Sequence, residues 1–303
     1  MREHYPRVRL YKNKLVGGSH LFIRESVSIT LYMRRSYQEV VQQVIRSLEA
    51  YRHEIGPQAL GWYVDPDSGD WEQLEDNSWA NLRQVLLTGT VAQLWLSESP
   101  SDTTGYEVLY YGRLLDVADE GETSVVSFRL PTEYLEEHGP GQVRKLALEL
   151  AAELPFASGH AGIVFHFPES TIGTTERIRD LSFRHPGLDI PGVHFESLSI
   201  GTRVDGVHWL NFLGQPVLGE LGGATGLRQR LHSPGTTVQE LDGERAVVTL
   251  GQWPEAGDTE QGHTLPAYRE LARVLEPWLY MDRSRWDGFS EEDMRRWERR
   301  FLD

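Results

Sequence analysis

Histidine side chains are the groups in this 303-residue chain best suited to acid–base or metal chemistry near neutral pH. His208 lies in the glycine-bounded segment Gly206–Gly214, GVHWLNFLG, among large apolar residues. We predict a strand over Val204–Leu213 with two mostly apolar faces, which is typical of a strand buried on both sides. A lone histidine in such a strand is more often a hydrogen-bonded core residue than a catalyst. We therefore interpret this segment as buried scaffold.

The spacing of the potential metal ligands matches no known metal site. His160 and His166 are six residues apart on a predicted strand, which separates them by roughly 20 Å, too far to share an ion. His185, Asp189 and His194 are close in sequence, but the prolines and glycines between them leave their geometry undefined. The chain has no cysteine, which excludes disulfides and thiolate sites. We predict no metal ion and no cofactor.

The sequence also lacks the usual signatures of nucleophilic catalysis and nucleotide binding. Ser158, in PFASGHAG, is not in the G-x-S-x-G pattern of a nucleophile elbow. The segment Gly219–Gly226 matches neither G-x-G-x-x-G nor a P-loop, and its apolar neighbours favour close helix packing. If the protein were an enzyme, its best candidates would be His160, His208, Asp258 and His263. We predict that it is not an enzyme.

Negative charge restricts the classes of partner. The formal net charge of −15 disfavours direct binding to nucleic acid or to an anionic membrane. From Gly61 to Val125 the chain has 13 acidic residues and two basic ones, and Val64–Trp79, VDPDSGDWEQLEDNSW, holds six acids and no base. Such a region is either a solvated face that keeps the protein in solution or a docking surface for a cationic partner.

Targeting signals are not evident in the sequence. The charged N-terminal stretch MREHYPRVRLYKNK is not followed by the apolar segment of a signal peptide. No run of about 18 apolar residues predicts a transmembrane helix. We expect a cytoplasmic protein.

The elements that must position these residues follow from periodicity. Leu21–Tyr32 alternates between apolar and polar residues, which predicts a half-buried strand. Ser36 and Glu39 form a capping box before a helical repeat, so a helix is predicted over Ser36–Glu54. Further elements of this half are strands at Leu60–Val64, Val91–Leu96, Tyr106–Leu115 and Ser124–Leu130, and a short helix at Trp79–Leu87.

The chain changes character at Pro131. Ala161–Phe167 predicts a buried strand, and Asp242-Gly243 predicts a hairpin turn between two strands. The other elements of this half are helices at Pro131–Glu137, Gln142–Glu153 and Ala267–Leu275, a helical turn at Arg177–Leu181, a glycine-broken helix in Val217–Leu231, hairpin strands at Thr236–Leu241 and Ala246–Leu250, and a last helix capped by Ser290 and Asp293 with Met294, Trp297 and Phe301 on one face.

These elements predict an α+β fold with mixed, largely antiparallel sheets and helices packed on them. Residues 1–130, which include the acidic region 61–125, and residues 131–303 would form two αβ halves. Because no low-complexity linker separates them, we expect the halves to pack closely into one compact unit.

Several segments together resemble one bacterial family over about residues 20 to 303. They are LPTEYLEEHGP (Leu130–Pro140), ELPFASGHAGIVF (Glu153–Phe165), RHPGLDIPG (Arg184–Gly192), HWLNFLGQPVLGELGG (His208–Gly223), GQWPEAGDTEQG (Gly251–Gly262), LPAYRELARVLEPWL (Leu265–Leu279) and RRWERRFLD (Arg295–Asp303). They are similar to the type VI secretion immunity family found beside VRR-Nuc-type nucleases. The resemblance implies a non-catalytic cytoplasmic protein that binds the toxin domain of an injected effector and blocks it.

The resemblance gives the acidic region a candidate role. A nuclease needs a cationic groove for DNA, and an inhibitor could fill that groove with carboxylates. The predicted partner-binding residues are Asp65, Asp67, Asp70, Trp71, Glu72, Glu75 and Asp76, together with Asp116, Asp119, Glu120 and Glu122 from a second acidic loop. Trp71 and Trp79 are candidate apolar anchors, and the alternative is that both tryptophans are core residues.

Three alternatives to nuclease immunity stay open at this stage. They are immunity to a non-nuclease toxin on the same scaffold, an enzyme acting on a toxin or small molecule, and an adaptor without a toxin partner. The sequence leaves the oligomeric state undetermined.

Overall fold

The computed structural model of the protein describes residues 4–13, 18–88, 92–100, 103, 105–115, 121–167, 175–283 and 286–303. Its strands are β1 (Arg9–Asn13), β2 (Ser19–Met33), β3 (Trp62–Val64), β4 (Trp71–Gln73), β5 (Gln93–Ser97), β6 (Glu107–Tyr111), β7 (Ser124–Pro131), β8 (Ser158–His166), β9 (Leu210–Leu213), β10 (Thr236–Asp242) and β11 (Arg245–Leu250). Its helices are α1 (Tyr37–Ile55), α2 (Asp76–Thr88), α3 (Thr132–Ala152), α4 (Thr175–Arg184), α5 (Val193–Glu196), α6 (Val217–Glu220), α7 (Gly223–Arg230), α8 (Pro266–Leu275) and α9 (Glu291–Glu298). No helix in these ranges has both the length and the apolar character that crossing a membrane requires.

The eleven strands form one antiparallel sheet in the order β10-β11-β9-β8-β2-β7-β6-β5-β3-β4, with β1 added to β2. The predicted α+β class with largely antiparallel pairing is confirmed. Strands from before and after residue 131 share this sheet, because β2 pairs with β7 on one side and with β8 on the other. The two edges of the ordered path are β10 and β4, so the acidic stretch around β4 lies at one edge of the sheet.

The sheet has an apolar face and a polar face, and β2 shows both. Val27, Ile29 and Leu31 lie on the apolar face, which packs against α1 and α3. Ser28 and Thr30 lie on the opposite, polar face. The prediction that this strand is half-buried is wrong, because its polar side chains are as deeply buried as its apolar ones.

Local capping explains where the first and last long helices begin. The Glu39 carboxylate accepts a hydrogen bond of 2.8 Å from the backbone N–H of Ser36, which precedes α1. At α9 the Ser290 hydroxyl accepts from the Asp293 N–H at 3.1 Å, and the Asp293 carboxylate accepts from the Ser290 N–H at 2.9 Å. Both predicted capping boxes are confirmed.

The predicted strand Val204–Leu213 is wrong over its first half, because only Leu210–Leu213 form β9. The Asn211 side chain accepts from the His208 N–H at 2.9 Å and donates to the His208 carbonyl at 2.7 Å. These local bonds compete with a sheet ladder. After Ala161, β8 pairs with Asp189 instead of with β9. The Phe165 N–H donates to the Asp189 carbonyl, and the Asp189 N–H donates to the Ile163 carbonyl. His208 therefore lies outside the sheet, although it is buried as predicted.

Other boundaries differ in smaller ways. The two helical segments predicted after Pro131 are joined as α3, with non-helical backbone at Gly139 (φ 77°). The predicted turn at Arg177–Leu181 is the longer helix α4. The glycine-rich segment Gly219–Gly226 joins α6 to α7, and a Cβ on Gly226 would lie 2.1 Å from the Leu221 carbonyl oxygen, so its packing role is confirmed.

Candidate functional site

Buried ionisable side chains are concentrated on the polar face of the sheet. We call eight of them the ionic cluster: Tyr32, His160, Asp189, Glu196, Asp205, His208, Arg283 and Arg300. Tyr32 and His160 project from β2 and β8, whereas the other six come from the segments that cover them. The apolar residues Val193, Ile200 and Tyr280 pack beside Tyr32 in the same layer. The cover explains why the polar face is buried at this point.

Two arginines neutralise the carboxylates of the ionic cluster. Arg283 Nε lies 3.2 Å from Glu196 Oε1, and the same guanidinium bonds Asp205. The Tyr32 hydroxyl lies 2.9 Å from Glu196 Oε2 and 3.2 Å from Asp205 Oδ2. Burial and the neighbouring Asp205 raise the pKa of Glu196 well above its usual range.

The two histidines of the ionic cluster are stacked on each other beside Asp189. Their rings stack with centroids 3.9 Å apart and planes within 15°. Burial and the adjacent His208 ring lower the pKa of His160 well below 6.5, so His160 is neutral. His208 Nε2 lies 3.1 Å from Asp189 Oδ2, and Arg300 Nη2 lies 2.9 Å from Asp189 Oδ1. Burial would raise the pKa of Asp189, but His208 and Arg300 outweigh it and lower that pKa.

His160, Asp189 and His208 have the composition of a zinc site, and their ligand atoms lie within 4.8 Å of one another. Their geometry does not fit one ion. An imidazole nitrogen directs its lone pair within the ring plane, and two nearly parallel stacked planes do not meet at an ion about 2 Å from each nitrogen. Both oxygens of Asp189 already face cationic or polar partners. The arrangement favours an ion-pair network that fixes the fold.

The candidate enzymatic residues do not converge on one site. His160 and His208 lie in the ionic cluster, shielded from solvent. Asp258 caps the turn Thr259–Gln261 and pairs with Arg184 at 2.9 Å, while the His263 side chain is exposed. Sequence reasoning missed the stacking of His160 on His208 because the two residues lie on different segments 48 positions apart. The pairing of His160 with Asn211 across β8 and β9, and the bonds of Asn211 to the His208 backbone, bring them together.

A second buried ionic group lies farther along the polar face, where Glu107 joins β6 to β7 and β8. Arg129 Nη1 lies 2.5 Å from Glu107 Oε1, and His166 Nε2 lies 3.2 Å from Glu107 Oε2. Burial would raise the pKa of Glu107, but Arg129 and His166 lower it to about 2. Burial, followed by the Arg129 charge, lowers the pKa of His166 to about 4. At neutral pH a neutral imidazole therefore donates to a carboxylate.

The predicted partner-binding residues fall on the hairpin β3–β4 and the start of α2. Asp67, Asp70 and Glu75 are exposed and make no side-chain bond to another described side chain. Asp65 and Glu72 have structural bonds. Asp65 Oδ1 accepts from the N–H groups of residues 67 and 68, and Glu72 accepts from the Tyr63 hydroxyl at 2.7 Å. The hairpin thus leaves part of its charge available to a partner.

The remaining predicted residues have different surroundings. Asp76 is the exposed first residue of α2, and Glu122 lines an open cleft of about 500 Å³ with Arg113 and Leu114. Asp116, Asp119 and Glu120 lie outside the described residues.

Trp79 packs against the core beneath the Arg52 guanidinium, which lies 4.2 Å from the centre of the Trp79 ring. Trp71 instead contacts Trp95 on the open side of the sheet. The two tryptophans therefore differ, and Trp71 is the one that remains a candidate anchor.

The ionic cluster predicts a large difference between two adjacent arginines. Replacing the buried Arg300 with Met leaves Asp189 under-compensated and should lower the free energy of unfolding by about 3–5 kcal/mol. Arg299→Met is the matched control, because Arg299 pairs with the exposed Glu276 and Asp303 and its loss should change stability far less. Urea unfolding at neutral pH measures both. Equal losses in the two variants would contradict a structural role for the cluster.

The Glu107 group predicts a pH dependence. In the unfolded chain His166 is protonated below about pH 6.5, whereas in the folded protein it is protonated only below about pH 4. The free energy of unfolding therefore decreases as the pH is lowered through that window. From pH 7 to pH 5 this histidine should account for about 2 kcal/mol of lost stability. His166→Gln should remove that loss in urea titrations at both pH values. The exposed His263→Gln is the control, and an unchanged pH dependence in His166→Gln would refute the assignment.

Comparison with known proteins identifies relatives of this chain. No curated protein matches it. The solved structure of the Pseudomonas aeruginosa T6SS protein PA0821 shares the fold, with a TM-score of 0.82, 19% sequence identity, and coverage of 99% of this chain and 88% of that chain. The family model TsiV, described as type VI immunity for VRR-NUC, matches residues 43–301. The chain therefore belongs to the TsiV family of type VI immunity proteins.

Proposed function

We propose that this protein binds a type VI secretion toxin of the VRR-Nuc nuclease type and neutralises it by occluding its DNA-binding groove or active site. The observation that carries the proposal is the family match across residues 43–301. The protein would act in the cytoplasm of the producing cell, because that is where a nuclease toxin meets DNA. Inhibition would be stoichiometric and would make or break no covalent bond.

Electrostatics supports a nuclease as the target. The region from Gly61 to Val125 carries 13 acidic residues against two basic ones, and the exposed Asp67, Asp70 and Glu75 belong to it. A protein that grips DNA presents a cationic groove. Opposite potentials speed the encounter of two proteins, and desolvated contacts at the interface slow their separation. The acidic hairpin at the β4 edge has the sign of charge that such a groove attracts.

Two alternatives make different predictions. A non-nuclease toxin could be neutralised by the same scaffold, because a shared fold does not determine the partner. An enzyme acting on the toxin would need accessible reactive groups, yet both histidines of the ionic cluster are buried. Among the described residues, the chemistry favours binding over turnover.

Inhibition of the nuclease should saturate at a simple molar ratio. DNA cleavage by a cognate VRR-Nuc domain should fall linearly with added protein and stop near one equivalent, because each inhibitor occupies one toxin surface. Titrating the protein into a plasmid-cleavage assay measures this ratio. Complete inhibition at a few hundredths of an equivalent would instead indicate catalysis.

Charge reversal at the β3–β4 turn should slow association. In Asp67→Lys with Asp70→Lys, two exposed carboxylates become cations, and loss of attraction should reduce the association rate constant roughly tenfold or more at low salt. Surface-based kinetics with the immobilised nuclease domain at two salt concentrations measures the change.

The matched control is Glu240→Lys with Glu244→Lys. It alters net charge equally on the β10–β11 hairpin, at the opposite edge of the sheet. Equal slowing in both variants would mean that total charge, rather than the β3–β4 turn, governs the encounter. Unchanged kinetics in the first variant would remove this turn from the interface.

A further inference from the structure

Toward the β4 edge, next to the Glu107 group, the polar face of the sheet also carries aromatic rings. Trp71 pairs with Val64 across β4 and β3, and Trp95 pairs with Leu109 across β5 and β6. Because Tyr63 pairs with Leu96 in the antiparallel ladder, Val64 lies opposite Trp95, and Trp71 and Trp95 share one face. Their rings lie 5.1 Å apart, and Trp95 is 39% exposed.

The row of rings continues toward α5. Tyr111 lies two residues after Leu109 on β6, hence on the same face as Trp95. The His194 ring lies 4.8 Å from that of Tyr111 and 5.3 Å from that of Phe195, which is 56% exposed. We call Trp71, Trp95, Tyr111, His194 and Phe195 the aromatic ribbon. From β4 to β6 it crosses three strand spacings, roughly 14 Å.

Exposure of Trp95 and Phe195 in the aromatic ribbon needs a physical explanation. Helices α1 and α2 contact each other, and the buried Leu82 and Leu86 of α2 belong to the same core as α1 and the apolar face. The rings of the ribbon lie on the other face. Leu114 and Leu198, which are also exposed, lie in the chain next to its Tyr111 and Phe195 end. Contiguous exposed apolar surface of this kind marks interaction sites, and large aromatic side chains are typical binding hot spots.

Charge at the borders of the aromatic ribbon favours a basic partner. The turn of residues 65–70 leads directly into Trp71, and its Asp67 and Asp70 are exposed. By strand register this turn lies at the same end of the sheet as Gln93 and Tyr111. A second copy of the chain would also bring a net charge of −15 and place acidic surface against acidic surface. Arginine and lysine side chains, in contrast, pair with carboxylates and stack on aromatic faces.

We infer that the aromatic ribbon, together with the adjoining acidic turn, is the surface that contacts the toxin, and that its partner surface is rich in arginine and lysine. This inference rests on the proposed function and adds to it the location of the interface. The rings supply desolvated contact area that holds the complex together, while the turn supplies the attraction. The ionic cluster takes no direct part.

Ring removal tests the inference. Trp95→Ser and Phe195→Ser should each weaken binding of a cognate VRR-Nuc domain about tenfold or more, mainly through faster dissociation. Tyr11→Ser is the control, because Tyr11 is 62% exposed on β1, outside the ribbon, and its loss should leave the dissociation constant unchanged. Kinetics of the intact chain on the immobilised nuclease domain measures the three variants beside the unmodified protein.

A second measurement does not depend on the variants folding. Amide hydrogen exchange of the unmodified complex should show added protection at residues 71–73 and 194–198, and little at 236–245. Binding with protection elsewhere, or unchanged affinity of the folded ring variants, would overturn the inference while leaving the proposed function intact. Absence of any binding by the unmodified protein would overturn both. A dimer of the unmodified protein that Phe195→Ser dissociates would assign the surface to a second copy and also overturn the inference.

Discussion

The pairing of buried charges on the polar face of the sheet is the constraint on which the C-terminal half of the structure depends. Asp189, Glu196 and Asp205 lie in the segment between α4 and β9, and their arginine partners lie beyond α8 and within the closing turn after α9. A buried ion costs several kcal/mol unless it is paired, so either segment alone on the sheet would leave charges uncompensated. The two segments are therefore stable on the sheet only together. Packing of apolar side chains alone would restrict less strictly which segments can cover the sheet together.

The same pairing explains why residues with catalytic chemistry do not form a catalytic site. Burial and the adjacent His208 lower the pKa of His160, and the two oxygens of Asp189 face His208 and Arg300. Perturbed pKa values are common at active sites, but structural ion-pair networks perturb pKa values in the same way. Active sites and structural ion-pair networks differ in solvent access. The cluster is closed beneath its covering segments, whereas Trp95 and Phe195 are open to solvent.

Local patterns in the sequence were sufficient for most of the helices and strands but not for the ionic cluster. The capping boxes at Ser36 and Ser290 and the turn at Asp242-Gly243 determine structure within a few residues, and those elements form where expected. The strand predicted from Val204 was wrong because apolar alternation does not register the competing bonds of Asn211. The cluster depends on contacts between residues 160, 189, 208 and 300, which no local spacing encodes. The difference between Trp71 and Trp79 was also out of reach, since it depends on which face of a three-residue strand meets the core.

Buried side chains of the ionic cluster and exposed side chains of the β3–β4 turn and α5 tolerate substitution differently. The protein PA0821 shares this fold at 19% identity, so the scaffold tolerates extensive substitution. Replacing a member of the ionic cluster requires a compensating change in its partner, because the charge left behind is buried. Residues such as Asp67, Asp70 and Phe195 carry no such requirement, since they are exposed and can change singly at small cost in stability. Specificity is a difference in affinity between partners. If the aromatic part of the sheet contacts the toxin as we propose, its exposed residues could change to match a different toxin without a compensating change in the ionic cluster.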